Sequence, residues 1–348
     1  MNSQMSWRKS IPTDTQEASD VSRLVPNPLV SVLMITYNHA EYLAEAIDGV
    51  IQQVCDFPFE LLIGEDASKD ATRQVALEYQ KRYPHIIRVV YSRNNVGMNA
   101  NSWRIFTKAR GKYVAYCEGD DFWCAPDKLA RQVALMESDE NIGIVHSDWA
   151  RTHKKDGIWA NDYSKSVHRR AAQKYLEGDL FKTWHYPKIL RTCTILLRKS
   201  TMAEWYASGL MDEKYLFGDS VLSAWITARA RVGYLPAVTA VYRISPNSAL
   251  RSGVNARVAF YKSALEFDTA ARAFFSERAD YQGGYRWDAA AGLLLWGLRA
   301  RDWPAMKTAL LDFWQHFTLI GFMATGLQTV TMRLPTLCRQ PRETPRLP

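Results

Sequence analysis

Three carboxylates occur within four residues, at Glu118, Asp120 and Asp121. They follow the apolar run Lys112–Cys117, which has the length and β-prone composition of a buried strand. Unpaired carboxylates repel each other and resist burial, so packing alone does not explain them. A divalent cation resolves the conflict, because Mg²⁺ is typically held by one or two carboxylates together with substrate phosphates. Since ligands of open α/β sheets lie just outside the carboxyl ends of the strands, this segment predicts a metal–phosphate site.

Two further polar segments follow strand-like runs upstream. The run Leu29–Ile35 leads into an aromatic turn at Tyr37–Asn38, and the run Phe59–Ile63 leads into Glu65–Asp66. The chain therefore has two acidic strand ends and one aromatic turn. The chemistry of these residues alone does not choose between hydrolysis and group transfer.

Strands and helices alternate from Leu29 onward, which predicts a mostly parallel sheet flanked by helices. Strands are expected at 29–35, 59–63, 86–91, 112–117 and 142–145, with helices near 43–51, 75–83 and 129–136. The second half is less regular, with strands expected at 193–197 and 238–242 and a helix starting near Asp219. From Val254 the pattern is helical.

The charge balance favours anionic partners. The 348 residues include 44 Lys and Arg against 36 Asp and Glu, a net charge of +8, which suits nucleotides or phospholipid headgroups. The chain lacks a dense Lys/Arg block with interleaved aromatic residues, which argues against nucleic acid. Its five cysteines form no C-x-x-C pair, so neither zinc nor a disulfide framework is expected, and a reducing compartment fits best.

These segments together resemble the family 2 glycosyltransferases, which have the GT-A fold. The resemblance is strong from Val30 to Trp149 and looser from Arg191 to Ser248. It rests on the order and spacing of five segments, namely 32–38, 65–72, 95–97, 109–113 and 118–123. The resemblance implies an α/β GT-A fold with a mostly parallel central sheet flanked by helices and a helical C-terminal region.

The resemblance implies a nucleotide-sugar donor and gives five residues a role in binding it. Tyr37, with Asn38 beside it, would lie against the base, and Asp66 would accept a hydrogen bond from the base. Asp120 would face the ribose and phosphate side of the donor. Asp121 would bind Mn²⁺ or Mg²⁺ bridged to the diphosphate, where a metal neutralises the charge that develops on the leaving group.

Other matched positions have less defined roles. Asn95 and Asn101, with Gly97, are expected to shape the loop beside the donor, although a turn that needs Asn and Gly backbone freedom explains them equally well. Glu65 stands where the family more often has Asp, so its role is less defined than that of its neighbour. Glu118 is interpreted as structural support for the acidic segment.

The acceptor side requires a general base, because a carboxylate should take the proton of the attacking hydroxyl. The segment Phe217–Leu222 resembles the family's acidic motif at a helix start and makes Asp219 the candidate. An Asp before an apolar periodic run is also a good helix N-cap, so that alternative stays open. Asp212 and Glu213 are weaker candidates for the base.

A later segment, Tyr242–Ser248, departs from the family pattern. Ser245 stands where the family commonly has a His, whose imidazole is able to contact the diphosphate or the metal. Arg243 could help to neutralise phosphate, or it could form a structural ion pair.

The chain is divided into a flexible N-terminal tail (1–27), a nucleotide-sugar-binding half (28–150), an acceptor-binding half (151–252) and a helical C-terminal region (253–348). The tail is polar and lacks the apolar stretch of a secretion signal. In the last region the uncharged run Phe313–Val330 is too polar for a good membrane-spanning helix. A helix in the membrane interface and an ordinary core helix pair both fit this run.

The leading interpretation is an inverting, metal-dependent glycosyltransferase that uses a nucleotide-diphosphate donor, with a UDP-sugar favoured by the resemblance. Its acceptor would be a hydroxyl of a bacterial-type surface glycan or of a lipid-linked saccharide. It would work in the cytoplasm, at an anionic membrane surface on the cytoplasmic face of the inner membrane. The alternatives are a metal-dependent phosphohydrolase or nucleotidyltransferase, and a catalytically inactive nucleotide-sugar-binding protein.

Overall fold

The computed structural model describes residues 14–155, 158–162, 168, 171–184, 190–212, 214–244, 253–278 and 284–316. Within these ranges the strands are β1 (Gln16–Ala18), β2 (Val30–Thr36), β3 (Phe59–Glu65), β4 (Ile87–Tyr91), β5 (Tyr113–Tyr116), β6 (Phe122–Trp123), β7 (Ile142–Lys155), β8 (Ile158–Asp162), β9 (Leu196–Arg198) and β10 (Arg231–Ile244). They form one sheet in the order β1-β4-β3-β2-β5-β9-β7-β10-β6, and β8 pairs with β7.

The α-helices of the described ranges are α1 (Leu43–Ile51), α2 (Thr72–Arg82), α3 (Met98–Phe106), α4 (Lys128–Glu137), α5 (Lys199–Ala207), α6 (Asp219–Thr227), α7 (Val254–Phe274), α8 (Gly284–Ala300) and α9 (Trp303–His316). Three single-turn 3₁₀ helices, at Gln173–Tyr175, Phe181–Thr183 and Thr192–Thr194, lie between β8 and β9.

The central strands run in one direction. β2 pairs in parallel with both β3 and β5, β3 pairs in parallel with β4, and β7 pairs in parallel with β10. The short strands β1, β6, β8 and β9 pair antiparallel with their neighbours. The predicted α/β GT-A architecture is therefore confirmed, with the reversed strands confined to the edges of the sheet and to one insertion between β5 and β7.

Helices cover both faces of the sheet. Successive residues of a strand point to opposite faces, so each central strand contributes side chains to two cores. In β2, Leu33 belongs to the core on one face, whereas Val32 and Met34 belong to the core on the other. Helices α3 and α5 to α9 supply the first core, and α1, α2 and α4 supply the second. Both faces of the central strands are thus buried, as their near-continuous apolar runs predict.

Part of the expected N-terminal tail is ordered. Strand β1 pairs antiparallel with β4, and its Glu17 forms ion pairs with Arg88 at 2.8 Å and Lys108 at 3.0 Å. Arg88 also donates to the fully buried Glu60 at 3.1 Å. The prediction of a loose tail over residues 1–27 is therefore wrong for 16–18, because an acidic residue in an otherwise polar segment finds two cations at the sheet edge.

Helices α7, α8 and α9 form the helical C-terminal region that the resemblance implied. Arg286 of α8 bridges the other two helices through Asp268 and Asp312. None of the described helices is both long and apolar enough to cross a membrane. Of the run Phe313–Val330, only Phe313–His316 is described, as the end of α9, and the rest lies outside the described residues.

Candidate active site

The loops after β2 and β3 are joined to each other. Asn38 adopts a left-handed conformation (φ 55°), its backbone N–H donates to Ser68 Oγ at 3.0 Å, and its side chain accepts from the Lys69 N–H at 2.8 Å. The His39 N–H donates to Thr72 Oγ1 at 2.8 Å. The Asn38 side chain thus fixes the turn and leaves Tyr37 39% exposed at the sheet edge.

Asp66 lies buried at the end of β3 and holds the next loop. Its carboxylate accepts the backbone N–H groups of Val96 at 2.8 Å and Gly97 at 2.9 Å, while its carbonyl accepts Asn95 Nδ2 at 2.8 Å. Burial raises the pKa of Asp66 despite these two hydrogen bonds. The structure therefore brings Asp66 and Asn95 together, next to the Tyr37 turn.

Asn101 lies in helix α3 and not in a loop, which corrects the sequence-based expectation for this position. It is buried, its Nδ2 donates to the Gly64 carbonyl at 2.7 Å, and its Oδ1 accepts Arg104 Nη2 at 2.7 Å. A Cβ on Gly64 would lie 2.6 Å from Asn101 Oδ1, so the glycine permits this close approach. Asn101 therefore joins α3 to β3 and fixes their relative position.

Glu65 also has a positioning geometry. Its fully buried carboxylate accepts the Ser68 N–H at 2.6 Å and forms an ion pair with Arg73 of α2. The side chain of Glu is longer than that of Asp, and at this position it reaches from β3 to Arg73 of α2.

The acidic segment, residues 118–121, follows β5 and runs beside the end of β2. The Gly119 N–H donates to the Ile35 carbonyl at 3.0 Å, and a Cβ on Gly119 would lie only 2.7 Å from Thr36 Oγ1. Asp120, which is partly exposed, has an oxygen 3.9 Å from His39 Nε2. The segment is thus pressed against the end of β2, beside the loop that follows it.

Arg243 takes the structural role of the two that the sequence allowed. Its backbone N–H donates to Asp121 Oδ1 at 2.8 Å, and its Nη1 donates to the Asp120 carbonyl at 2.8 Å. The side chain is 1% exposed and pairs with Glu45 of α1. Ser245 lies outside the described residues.

A cavity of about 300 Å³ opens beside the acidic segment, and Glu118, Asp121 and Asp219 line it. Asp219 is the first residue of α6, where its Oδ1 accepts the Ser220 N–H at 2.7 Å. The N-cap position belongs to Gly218, but the Asp219 carboxylate accepts an N–H of the first turn, so its position fits both stabilisation of the helix start and a role in the cavity. Asp212 does not line the cavity and pairs with Lys214, while Glu213 lies outside the described residues.

The apolar wall of the cavity comes from α3, α5 and the segment before α6. Its side chains include Met98, Met202, Trp205, Tyr206, Leu216 and Phe217. Tyr37 and Asp66 do not line the cavity; they stand outside it, at the ends of β2 and β3. Tyr37 and Asp66, which are predicted to bind the nucleobase, therefore lie outside the cavity that Asp121 and Asp219 share.

The buried carboxylates have the chemistry of a divalent-cation site. Glu118 Oε2 is buried without a hydrogen-bond partner among the described residues, and burial together with Asp120 raises the pKa of Glu118 to about 7. Burial, with Asp120 and Glu118, raises the pKa of Asp121 well above its ordinary value. Ligand atoms of Glu118, Asp121 and Cys193 lie within 4.8 Å of one another. Two hard carboxylate oxygens suit Mg²⁺ or Mn²⁺, and the thiol is a softer group that these ions do not require.

Glu118 is interpreted from the sequence as structural support, and the structure places its carboxylate in the cavity beside Asp121. The position of Glu118 after a strand does not determine which way its side chain points. Its side chain lines the cavity together with Thr192, the first residue of the Thr192–Thr194 turn.

Residues 31–203 match the family model described as Glycosyl transferase family 2. Through this segment the chain belongs to that family. The chain is also 44% identical over 143 residues to an uncharacterized protein of Mycobacterium tuberculosis, a match that covers 39% of this chain and 41% of that protein. The chain spans about two fifths of the length of this relative and of its Mycobacterium bovis counterpart.

Solved structures resemble the family 2 chain over most of its length. The mannosyltransferase PcManGT from Pyrobaculum calidifontis, in complex with GDP-Man and Mn²⁺, has a TM-score of 0.55 and 18% identity over 95% of this chain and 90% of that one. TarS from S. aureus, in complex with UDP-GlcNAc, has a TM-score of 0.52 and 17% identity over 83% and 93%. At these identities the likeness establishes the shared GT-A fold.

Proposed function

We propose that this family 2 protein is an inverting, metal-dependent glycosyltransferase that moves a sugar from a nucleotide-diphosphate donor to a hydroxyl group of the acceptor. The observation that carries the proposal is the meeting of Asp121 and Asp219 on one cavity, although they come from different elements. A transferase needs one acidic group at the leaving phosphate and another at the attacking hydroxyl.

The donor's nucleoside would bind outside the cavity, at the ends of β2 and β3. Tyr37 offers an exposed ring for stacking on the base, and the turn that carries it is fixed by Asn38. Asp66, under the loop that Asn95 holds, would accept a hydrogen bond from the base. Asp120, half-buried between this region and the cavity, would face the ribose and phosphates.

The transfer is a single displacement at the anomeric carbon. The acceptor oxygen forms a bond to this carbon, the bond to the diphosphate oxygen breaks, and its electron pair leaves with the nucleoside diphosphate. Asp219 takes the proton of the acceptor hydroxyl. Asp121, with Glu118 beside it, would hold Mn²⁺ or Mg²⁺, which when bound neutralises charge on the diphosphate.

The acceptor class and the cellular site are part of the proposal. We infer a glycan or lipid-linked saccharide acceptor and a position at the cytoplasmic face of the inner membrane, in the synthesis of a surface glycan. Support comes from the net charge of +8 and from exposed apolar side chains on α8 and α9, namely Leu295, Leu298, Trp303, Leu310, Leu311 and Trp314. Aromatic and basic residues together favour an anionic membrane surface.

The direct test of the proposed activity is a donor panel. UDP-, GDP- and dTDP-sugars are incubated with the protein and Mn²⁺, and release of the nucleoside diphosphate is followed with and without added saccharide acceptors. We expect slow hydrolysis of one donor class, accelerated by an acceptor and abolished by EDTA. Release of a nucleoside monophosphate and a sugar 1-phosphate from the donors, in place of a nucleoside diphosphate, would instead support a phosphohydrolase.

A further inference from the structure

Arg191 lines the same cavity as Glu118, Asp121 and Asp219, and its guanidinium has no polar partner among the residues that the structure describes. Its Nε is buried without a hydrogen bond, and within the described residues the side chain makes neither a hydrogen bond nor an ion pair. The arginines around the nucleotide region differ, since Arg73, Arg104 and Arg243 are each bound to carboxylates or carbonyls. An arginine in this state is an exception among buried polar groups.

Two aromatic rings hold the Arg191 side chain in place. Its guanidinium carbon lies 4.6 Å from the centre of the Trp149 ring and 4.4 Å from that of Tyr242. The planes of these two rings are 82° apart, so at most one of them lies flat on the guanidinium. Contact with ring faces does not use the N–H donors of the guanidinium, which remain able to bind a ligand. Since a buried unpartnered donor costs free energy, the arrangement is suited to an anion that arrives from outside.

The position of Arg191 points to the phosphate end of the donor. Tyr242 directly precedes Arg243, whose N–H binds Asp121 Oδ1 at 2.8 Å. Two residues after Arg191, the Cys193 sulfur lies within 4.8 Å of the nearest ligand atoms of Glu118 and Asp121. Through Tyr242 and through Cys193, Arg191 is therefore connected to the carboxylates where the diphosphate would meet the metal ligands.

We propose that Arg191 binds the phosphate group that carries the transferred sugar and stays bound to it as the leaving group; this rests on the proposed function. When the acceptor oxygen bonds to the anomeric carbon, the carbon–oxygen bond to this phosphate breaks and the electron pair remains on the phosphate oxygen. The proton goes to Asp219. The guanidinium of Arg191 pairs with the charge gained by the phosphate.

The test compares nucleoside diphosphates with monophosphates, because the second phosphate is the one that Arg191 would bind. Calorimetry with Mn²⁺ measures the binding of UDP and UMP, GDP and GMP, and dTDP and dTMP to the full-length protein and to Arg191→Met. A charged hydrogen bond of the expected kind corresponds to roughly a tenfold to hundredfold loss for the diphosphate that binds. The matching monophosphate should lose much less.

The matched control is Arg151→Met, because Arg151 also stacks on Trp149, at 4.9 Å, but does not line the cavity. It should leave the preference for the diphosphate unchanged. If Arg191→Met does not fold, as judged by circular dichroism, Arg191→Gln is measured with the same expectation. An unchanged diphosphate-to-monophosphate ratio in the folded variant contradicts the role of Arg191 alone. If the wild-type protein binds none of the diphosphates, the proposed function itself fails, and this inference with it.

Discussion

Asp121 combines burial with like-charged neighbours. It is 3% exposed, and its carboxylate accepts the Arg243 N–H at 2.8 Å, while Glu118 and Asp120 lie on its own segment. Such an arrangement disfavours the ionised form until a cation arrives. The same geometry therefore raises the free energy of the metal-free protein and makes the binding of a metal ion more favourable.

Asp121→Asn should separate these two effects. The amide oxygen can keep the hydrogen bond from Arg243, while the charge that repels Glu118 is removed, so we expect a thermal midpoint at or above that of the wild type without metal. The gain in nucleoside diphosphate affinity on adding Mn²⁺ should fall by about a hundredfold. Asp212→Asn, at a carboxylate that pairs with Lys214 outside the cavity, is the control. Equal metal dependence in both variants would show that the ligand lies elsewhere.

Asp219→Asn should affect turnover and not donor binding. The side chain lines the cavity at the start of α6, and an amide cannot take the proton of the acceptor hydroxyl. We expect the transfer rate to fall by roughly 10²- to 10⁴-fold, the range that general bases contribute, with the donor dissociation constant within about twofold of the wild type. A variant that transfers sugar at the wild-type rate would place the base on another residue.

At the scale of elements, the edge strand β1 depends on Glu17. Burial raises the pKa of Glu17, but hydrogen bonds and charges from Arg88 and Lys108 outweigh this and lower it to about 2. The folded-state pKa is depressed, so this contribution is complete above the unfolded value near 4.5 and is lost as the pH falls towards 2.

Glu17→Gln should therefore lower the free energy of unfolding at pH 7 by about 2 kcal/mol. The difference from the wild type should shrink between pH 4.5 and pH 3, because the wild-type carboxylate is losing the same stabilisation there. Urea unfolding at pH 7, 4 and 3 measures this. A difference that stays constant over the three pH values would mean that Glu17 does not stabilise the fold through its charge.

The central strands were predictable because their burial on both faces leaves continuous apolar runs, as in Val30–Thr36. Helix α3 was missed because its buried side includes Asn101 and Arg104, so it shows no apolar stripe. Strand β1 was missed for a related reason, since its pairing depends on Glu17 and two distant cations. Polar burial is decided by partners far apart in sequence, and these become visible only in the fold.

The candidate site divides in the same way. Asp121 and Asp219 could be found from the sequence because each stands in a segment that resembles a family motif. Glu118 and Arg191 could not be assigned, because the first needs the orientation of its side chain and the second needs two rings from β7 and β10. The sequence therefore predicts which residues are acidic at the edge, and the fold determines which of them share a cavity.

At the scale of the whole molecule, exposed apolar residues concentrate on α8 and α9. Trp303 is 70% exposed and Trp314 is 86% exposed, and the basic residues Arg299, Arg301 and Lys307 on or beside these helices are exposed as well. Tryptophan with basic residues is typical of helices that bind the interface of anionic membranes. The catalytic cavity is formed by other elements, so membrane binding and donor binding should be separable.

Replacing Trp303 and Trp314 together by Ala should reduce sedimentation with vesicles of phosphatidylglycerol and phosphatidylcholine, while donor hydrolysis in solution stays unchanged. The loss should be at least several-fold, since two large exposed rings are removed. Neutral phosphatidylcholine vesicles are the control and should bind the wild type weakly. Equal sedimentation of the double variant and the wild type would refute a role of α8 and α9 at the membrane.

The central claim is that the acidic sheet edge binds a nucleoside diphosphate through a metal ion. Calorimetric titration of the wild-type protein with UDP, GDP and dTDP, each with Mn²⁺ and again with EDTA, tests it most directly. We predict saturable binding of at least one diphosphate at one site per chain with Mn²⁺, weakened at least tenfold in EDTA. Binding of none of them, or binding that is indifferent to the metal, would contradict the account.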